Sequence, residues 1–261
     1  MSPAMPPPFD VKLMNLTATA LLCVCLAVML AGAVWWALRH PLFAIAGITV
    51  QGDVAHNNAV TLRANVAPRI AGNFFTVNLA AVRQAFEDVP WVRTAVVRRE
   101  FPNRLRVQLQ EHQAVALWGA DSELRLLNKF GEVFEANVGD VEQDGLPRLA
   151  GPDQQSSQVL AMYLAVKPLF EPLELPVQRL ALTAGGNWQL ELETGALIEL
   201  GRGTPQEVAA RTQRFVQTLT QVASRYSRRP EALVSADLRY GDGYAVRFRG
   251  VGTTGGDAAK K

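Results

Sequence analysis

The hydrophobic pattern divides the chain into one long unbroken apolar block and a series of short periodic segments. From Leu13 to Leu38, between Lys12 and Arg39, no side chain is charged. As a helix this block would be about 39 Å long, at about 1.5 Å per residue, against a hydrocarbon core of about 30 Å. Trp35 and Trp36 close it, where indole rings favour the headgroup level. The pattern predicts a single N-terminal transmembrane helix anchored between Leu13 and Leu38. A cleaved signal peptide competes with it, because Ala31-Gly32-Ala33 has the small-x-small form of a cleavage site. Apolarity running on through Val34 to Leu38 favours the uncleaved anchor.

After the block, periodicity predicts two packed units. In the first, Ile48 to Val50 reads as a strand ended by Gly52-Asp53. Asn57 and Asn58 are N-cap candidates for a helix from Val60 to Ile70, whose Val60, Leu62, Val66 and Ile70 recur at near-helical spacing. Asn78 caps a second helix, Leu79 to Glu87. Strands follow at Val92–Arg99 and Arg104–Gln110, where Leu105, Val107 and Leu109 alternate with polar residues. The order β-α-α-β-β predicts a small sandwich with its helices on one sheet face.

The second unit is richer in strands. Leu124–Leu127 with Val133-Phe134, then Leu180–Leu182, Trp188–Leu192 and Leu197–Leu200, are strand segments separated by glycine-bearing turns. One helix covers Val159–Leu169. Another follows Thr204-Pro205-Gln206-Glu207, which offers an N-cap, a proline at the first helical position and a capping-box glutamate. Its apolar face is Val208, Phe215, Val216, Leu219, Val222 and Tyr226. A last hairpin joins Val234–Tyr240 to Tyr244–Phe248 across Gly241-Asp242-Gly243. The fold class is α+β: one span, a small α/β unit and a mainly antiparallel β domain with flanking helices. The tail from Gly250 is small and polar, and disorder is expected there.

Composition narrows the function by exclusion. The 261 residues are 49% hydrophobic and 19% charged with a net charge of +2, which argues against a nucleic-acid binder. The two cysteines, Cys23 and Cys25, both fall in the apolar block, so neither a disulfide scaffold nor a multi-cysteine metal site is expected. His40, His56 and His112 lack partners at metal-ligand spacing and read as ordinary surface residues. No G-x-S-x-G, P-loop, G-x-G-x-x-G or H-E-x-x-H motif occurs. Arg98-Arg99 and Arg228-Arg229 read as surface charges, though a basic face attracts acidic partners or phospholipid headgroups. The most suggestive binding feature is the last strand, which can accept a partner's strand if it lies at a sheet edge.

Several motifs fall in a recognisable order. They are Phe43 with Ile48-x-Val50-x-Gly52, Asn73-Phe74-Phe75, Val89-Pro90-Trp91-Val92, Arg98-Arg99-x-Phe101-Pro102 and Leu105-x-Val107. They continue through Glu111 to Trp118, Leu126 to Phe134, Leu146-Pro147-x-Leu149-x-Gly151-Pro152, Leu200-Gly201-Arg202, Arg214-Phe215 and Asp237-Leu238-Arg239-Tyr240. Over almost the whole chain this resembles the FtsQ/DivIB family of cell-division proteins, of the Gram-negative type. Ala114 stands where the family has Pro, and Gly185-Gly186-Asn187 lacks the basic residues that can precede the Trp188 strand.

The resemblance implies a non-enzymatic scaffold of the bacterial division septum. Its expected plan is a cytoplasmic tail (1–12), a span (13–38), a POTRA domain (43–112), a periplasmic β domain (113–249) and a tail (250–261). It would be a single-pass inner-membrane protein, concentrated at the septum. It would recruit the FtsB–FtsL pair by strand addition to the β domain, contact FtsK through the POTRA domain, and link early with late division proteins. The implied partner-binding positions are Arg239, Tyr240, Gly243, Tyr244 and Phe248. No cofactor, small-molecule substrate or nucleic acid is implied. The alternatives are a POTRA-bearing secretion or outer-membrane assembly factor, and a membrane-anchored periplasmic enzyme with a polar pocket in the second unit.

Overall fold

A computed structural model describes residues 9–120, 123–142, 145–241 and 243–251. Residues 1–8 of the expected N-terminal tail, residues 252–261 and Asp242 of the final turn lie outside the described residues. The chain separates into two units, Met1–Glu111 and His112–Lys261.

Helix α1, Phe9–Leu38, opens the first unit. Its segment Leu13–Leu38 has a mean hydropathy of 2.4 with none of it buried, so by length and composition it can cross a membrane. A core helix of the same composition would be covered by protein; the bare leucines and valines of this one suit lipid.

The rest of the unit is a three-stranded sheet under two helices. Strand β1 (Gly47–Gly52) is followed by α2 (Ala59–Val66), α3 (Leu79–Glu87), β2 (Val92–Glu100) and β3 (Arg104–Glu111). The order is β1-β3-β2, with β3 parallel to β1 and antiparallel to β2. Alternation along β3 turns Leu105, Val107 and Leu109 toward Leu62 and Val66 of α2 and Val82, Ala85 and Phe86 of α3. Asn58 caps α2 and Asn78 caps α3, each accepting from two backbone N–H groups. Helix α2 stops at Val66 rather than running to Ile70. Pro68 has no N–H to donate and its ring opposes the carbonyl of the preceding turn, so Ala67–Arg69 tightens into a 3-10 turn. Val60, expected on the inner face, is 77% exposed.

The second unit is built on a nine-stranded sheet. Its strands are β4 (Ala114–Trp118), β5 (Arg125–Asn128), β6 (Val133–Phe134), β7 (Arg148–Ala150), β8 (Val177–Leu182), β9 (Trp188–Leu192), β10 (Leu197–Gly201), β11 (Leu233–Asp237) and β12 (Ala245–Phe248). Their spatial order is β12-β11-β10-β9-β8-β7-β4-β5-β6. Pairing is mainly antiparallel; β4 with β7, β7 with β8 and β10 with β11 are parallel. Parallel neighbours need a crossover. Helix α4 (Ser156–Phe170) supplies one between β7 and β8, and α5 (Pro205–Arg225) another between β10 and β11. The capping box of Thr204 and Glu207 starts α5 as its sequence predicts. Val208, Phe215 and Leu219 of α5 join Trp118, Trp188 and Phe170 in one apolar core. Tyr226, expected on that inner face, is 53% exposed.

Candidate functional site

The last two strands carry the residues singled out from the sequence. Strand β11 lies between β10 and β12, and β12 is the outermost strand on that side of the sheet. An antiparallel pair directs every second residue's backbone groups away from its neighbour. The outer edge of β12 therefore turns N–H and C=O groups toward a further strand, with the Phe248 carbonyl accepting the Val251 N–H at 3.3 Å.

The loop before that edge is more ordered by side chains than a plain hairpin. Strand β11 ends at Asp237 instead of reaching Tyr240, because the Asp237 carboxylate accepts the Arg239 backbone N–H at 3.1 Å, forming a local turn. The same carboxylate holds the Arg239 guanidinium at both oxygens, 2.9 Å from Nε and 2.6 Å from Nη2. The Arg239 bond lowers the Asp237 pKa, and the reciprocal interaction raises that of Arg239. The stem of Arg239 lies over Gly201, where an added Cβ would come 3.0 Å from its Cγ. Gly201 has φ +78 at the irregular end of β10, a conformation that costs glycine least. Two motifs far apart in sequence, Leu200-Gly201-Arg202 and Asp237-Leu238-Arg239-Tyr240, are thus one structure.

The predicted positions divide by exposure. Tyr240 is 60% exposed and Gly243 is also exposed. Tyr244 is half-buried, edge-on to Phe215 with centroids 4.9 Å apart, and its hydroxyl shares a 2.6 Å hydrogen bond with Thr218. Phe248 is 4% exposed and belongs to the core, so at this position only the backbone faces outward from the sheet edge. Beside the loop, Arg211, Arg214, Tyr240 and Tyr244 line a cavity of about 160 Å³. Sequence reasoning missed Arg211 and its buried Nε, which has no hydrogen-bond partner among the described residues. The available signal was helical: Arg211, Arg214 and Thr218 stand at i, i+3 and i+7, beside the buried row of Val208, Thr212, Phe215 and Leu219.

A larger cavity of about 570 Å³ lies elsewhere in the second unit, lined by Arg148, Tyr163, Lys167, Glu171, Glu174 and Glu193 among others. Burial pushes the Tyr163 phenol up, with Glu171 adding to the effect. Among the described residues, no histidine, cysteine, serine or threonine lines this cavity.

In the first unit, Arg99 and His56 lie at the surface, as expected, and each also makes structural contacts. Arg99 donates from Nε to the Phe74 carbonyl at 2.6 Å and from Nη2 to those of Val77 and Phe75. His56 stacks on Trp91 with centroids 3.8 Å apart, and its Nδ1 lies 3.2 Å from Glu111. Asn57 caps no helix. Its backbone and side-chain amides donate to Glu111, and the side chain also reaches the Pro90 carbonyl. Burial raises the Glu111 pKa, but hydrogen bonds from His56 and Asn57 outweigh it and hold the carboxyl below its ordinary value.

Leu13, Leu38, Trp35 and Trp36 all lie on α1, and the Arg39 guanidinium sits 4.3 Å from the Trp35 ring centroid.

The profile of the POTRA domain, FtsQ-type, matches residues 43–112. That of "Cell division protein FtsQ/DivIB, C-terminal" matches residues 116–239. The chain is 39% identical over 251 residues to the cell division protein FtsQ of Thiomonas arsenitoxydans, covering 95% of this chain and 91% of the relative. It is 38% identical to that of Burkholderia pseudomallei, covering 93% and 94%, and 38% identical to that of Bordetella pertussis, covering 91% of each. An apolar N-terminal helix, a β-α-α-β-β unit and a sheet domain ending on an open edge, matched along nearly their whole length by FtsQ proteins, make this chain a member of the FtsQ/DivIB family of cell-division proteins.

Proposed function

We propose that this chain is a non-enzymatic, single-pass scaffold of the division septum that captures the FtsB–FtsL pair at β12. The observation that carries the reading is the outward backbone of β12, flanked by the exposed Tyr240 and by Arg239. A partner strand would add beyond β12, Tyr240 would be covered, and an acidic partner side chain would meet Arg239. Gly243 and Tyr244 shape the approach to the edge, and Phe248 holds the strand on the core. In this reading residues 1–12 face the cytoplasm, 13–38 cross the inner membrane, and the POTRA domain (43–112) and β domain (113–249) are periplasmic. The POTRA domain contacts FtsK, and the whole protein links early with late division proteins.

Tyr240→Ala tests it, because the exposed ring contributes little to the fold. Aromatic anchors at interfaces commonly cost about 2 kcal/mol or more on truncation, about thirtyfold in Kd. Affinity for FtsB is measured with the full chain in micelles. Unchanged affinity in the folded variant removes Tyr240 and this edge from the partner site. Fluorescent full-length protein that rescues a depleted strain without collecting at the septum removes the septal role.

A further inference from the structure

The base of the POTRA unit carries exposed aromatic surface at the point where the chain leaves α1. The connection is short and wound: Arg39 and His40 donate back to the Trp36 and Ala37 carbonyls, and Pro41–Phe43 forms a 3-10 turn. Three contacts tie it to the sheet unit. The Asn73 side-chain amide donates to the Leu38 carbonyl at the end of the span. The Phe74 N–H donates to the Phe43 carbonyl at 2.9 Å, and the Ala46 N–H to the Asn103 carbonyl at 2.9 Å. Arg99 then clamps the loop of Phe74 and Phe75 onto β2. The β2–β3 tip and the 73–76 loop are thus fixed to the eight residues that follow the span.

At this end Phe101 is 84% exposed, Leu42 76% and Phe75 44%. Phe43 meets Phe75 edge-on, with centroids 4.9 Å apart. The exposed aliphatic Val60 lies at the opposite end of the sheet: β1 runs away from the tip, from Gly47 beside Arg104 to Gly52 beside Leu109, and α2 follows it. Basic charge accompanies the aromatics. Arg39 and Arg104 are exposed here, while the nearby acid Glu100 is engaged by Arg106.

We propose that Phe101, Leu42 and Phe75 seat the base of the POTRA unit in the headgroup layer of the bilayer that α1 crosses, with Arg39 and Arg104 receiving anionic phospholipid. Exposed Phe and Leu side chains bury at the headgroup–acyl boundary, and basic residues beside a span draw anionic headgroups. The chain itself delivers the surface there, since the contacts above begin at Leu38. The inference concerns a different surface from the partner edge and rests only on α1 crossing the membrane.

The test places one spin label at a time on the full chain, in nanodiscs of phosphatidylcholine with phosphatidylglycerol. Phe101→Cys and Val60→Cys are labelled in a Cys23→Ala, Cys25→Ala background, and native Cys23 is labelled in Cys25→Ala to report the span. Relaxation by oxygen is compared with relaxation by a water-soluble nickel chelate. Oxygen dominates at 101 and the chelate at 60 if the tip is seated, and the value at 101 shifts toward that at 60 when phosphatidylglycerol is left out. A label at 101 as open to the chelate as one at 60, with Cys23 still in lipid, overturns the proposal. Shielding of 101 from both reagents means protein cover and overturns it too. No response to leaving out phosphatidylglycerol overturns the anionic assignment. A Cys23 label open to the chelate overturns the span and the proposal with it.

Discussion

The POTRA unit and the C-terminal unit both lay helices on a sheet, yet they are fixed by different groups. Among the described residues the POTRA unit buries the rings of Phe74, Phe86 and Trp91, with only Phe86 in its main apolar cluster; the larger unit packs Trp118, Trp188, Phe170, Phe215 and Phe248 into a continuous core. A small domain buries a smaller share of its surface. Here polar ties make up part of the difference. Glu111, 6% exposed at the end of β3, gathers His56 and Asn57, and Arg99 gathers the carbonyls of Phe74, Phe75 and Val77. Trp91, held at φ 71 under the His56 ring, belongs to the same arrangement. The small unit is therefore sensitive to single polar side chains, while the large one tolerates change at its edge and fails through its core.

The largest effect should therefore come from an apolar truncation in the large unit. Phe215→Ala removes a fully buried ring that also supports Tyr244. It should destabilise that unit by about 3–5 kcal/mol, read by hydrogen exchange of the full chain in micelles, with POTRA amides unaffected. Equal loosening of both units would break the comparison. Next comes Glu111→Gln, which presents an amide N–H₂ where the carboxylate accepts several donors. It should cost about 2 kcal/mol, in the range for hydrogen bonds to charged groups, and expose the POTRA amides alone. Arg99→Lys follows at about 1–2 kcal/mol, since an ammonium cannot reproduce the planar fork that reaches Phe74, Phe75 and Val77. A Lys variant with native exchange across residues 73–77 would sink the assigned clamp.

Acidification sharpens the same contrast. The folded Glu111 pKa lies below the unfolded value of about 4.3. Its contribution is thus complete above that pH and is lost as pH falls through the folded value. The His56 and Asn57 amides should lose protection in that window in the wild type. In Glu111→Gln they should be unprotected already, with no further change.

What could be read from the sequence depended on how local the cause was. The alternation of Leu105, Val107 and Leu109, the caps at Asn58 and Asn78, and the Thr204–Glu207 box all act within a few residues, and each lies where its pattern predicts. Strand β7, Arg148–Ala150, is too short to show a period, and its parallel partners β4 and β8 are distant in sequence. Arg99 and His56 read as surface residues, which they are, but their contacts were hidden because the partners, the Phe74 carbonyl and the Trp91 ring, lie more than twenty residues away. At the candidate site, Gly243 was legible as part of a turn, whereas Tyr240 was expected at the end of a strand that in fact stops at Asp237. The burial of Phe248 was not legible, because strand alternation gives two faces without saying which one the core covers. Nor could a single sequence show that Asp237 would hold Arg239.

That last pair supplies the smallest and most discriminating effect. In the free protein the Asp237 carboxylate neutralises Arg239, the cation assigned to an acidic partner group. Asp237→Asn keeps a carbonyl oxygen for the Arg239 backbone N–H and Nε, so the turn persists, but it removes the neutralising charge. Because the guanidinium is exposed and water screens the pair, folding should barely respond, and exchange across β11 and β12 should match the wild type. Partner affinity should rise, because Arg239 now presents an uncompensated charge, and the gain should fade as salt is added. Arg239→Ala should weaken binding, and the double variant should bind as weakly as Arg239→Ala alone. If Asp237→Asn instead weakens capture at every salt concentration, the carboxylate itself takes part in binding, and Arg239 is a bracket for the loop rather than the group that meets the partner.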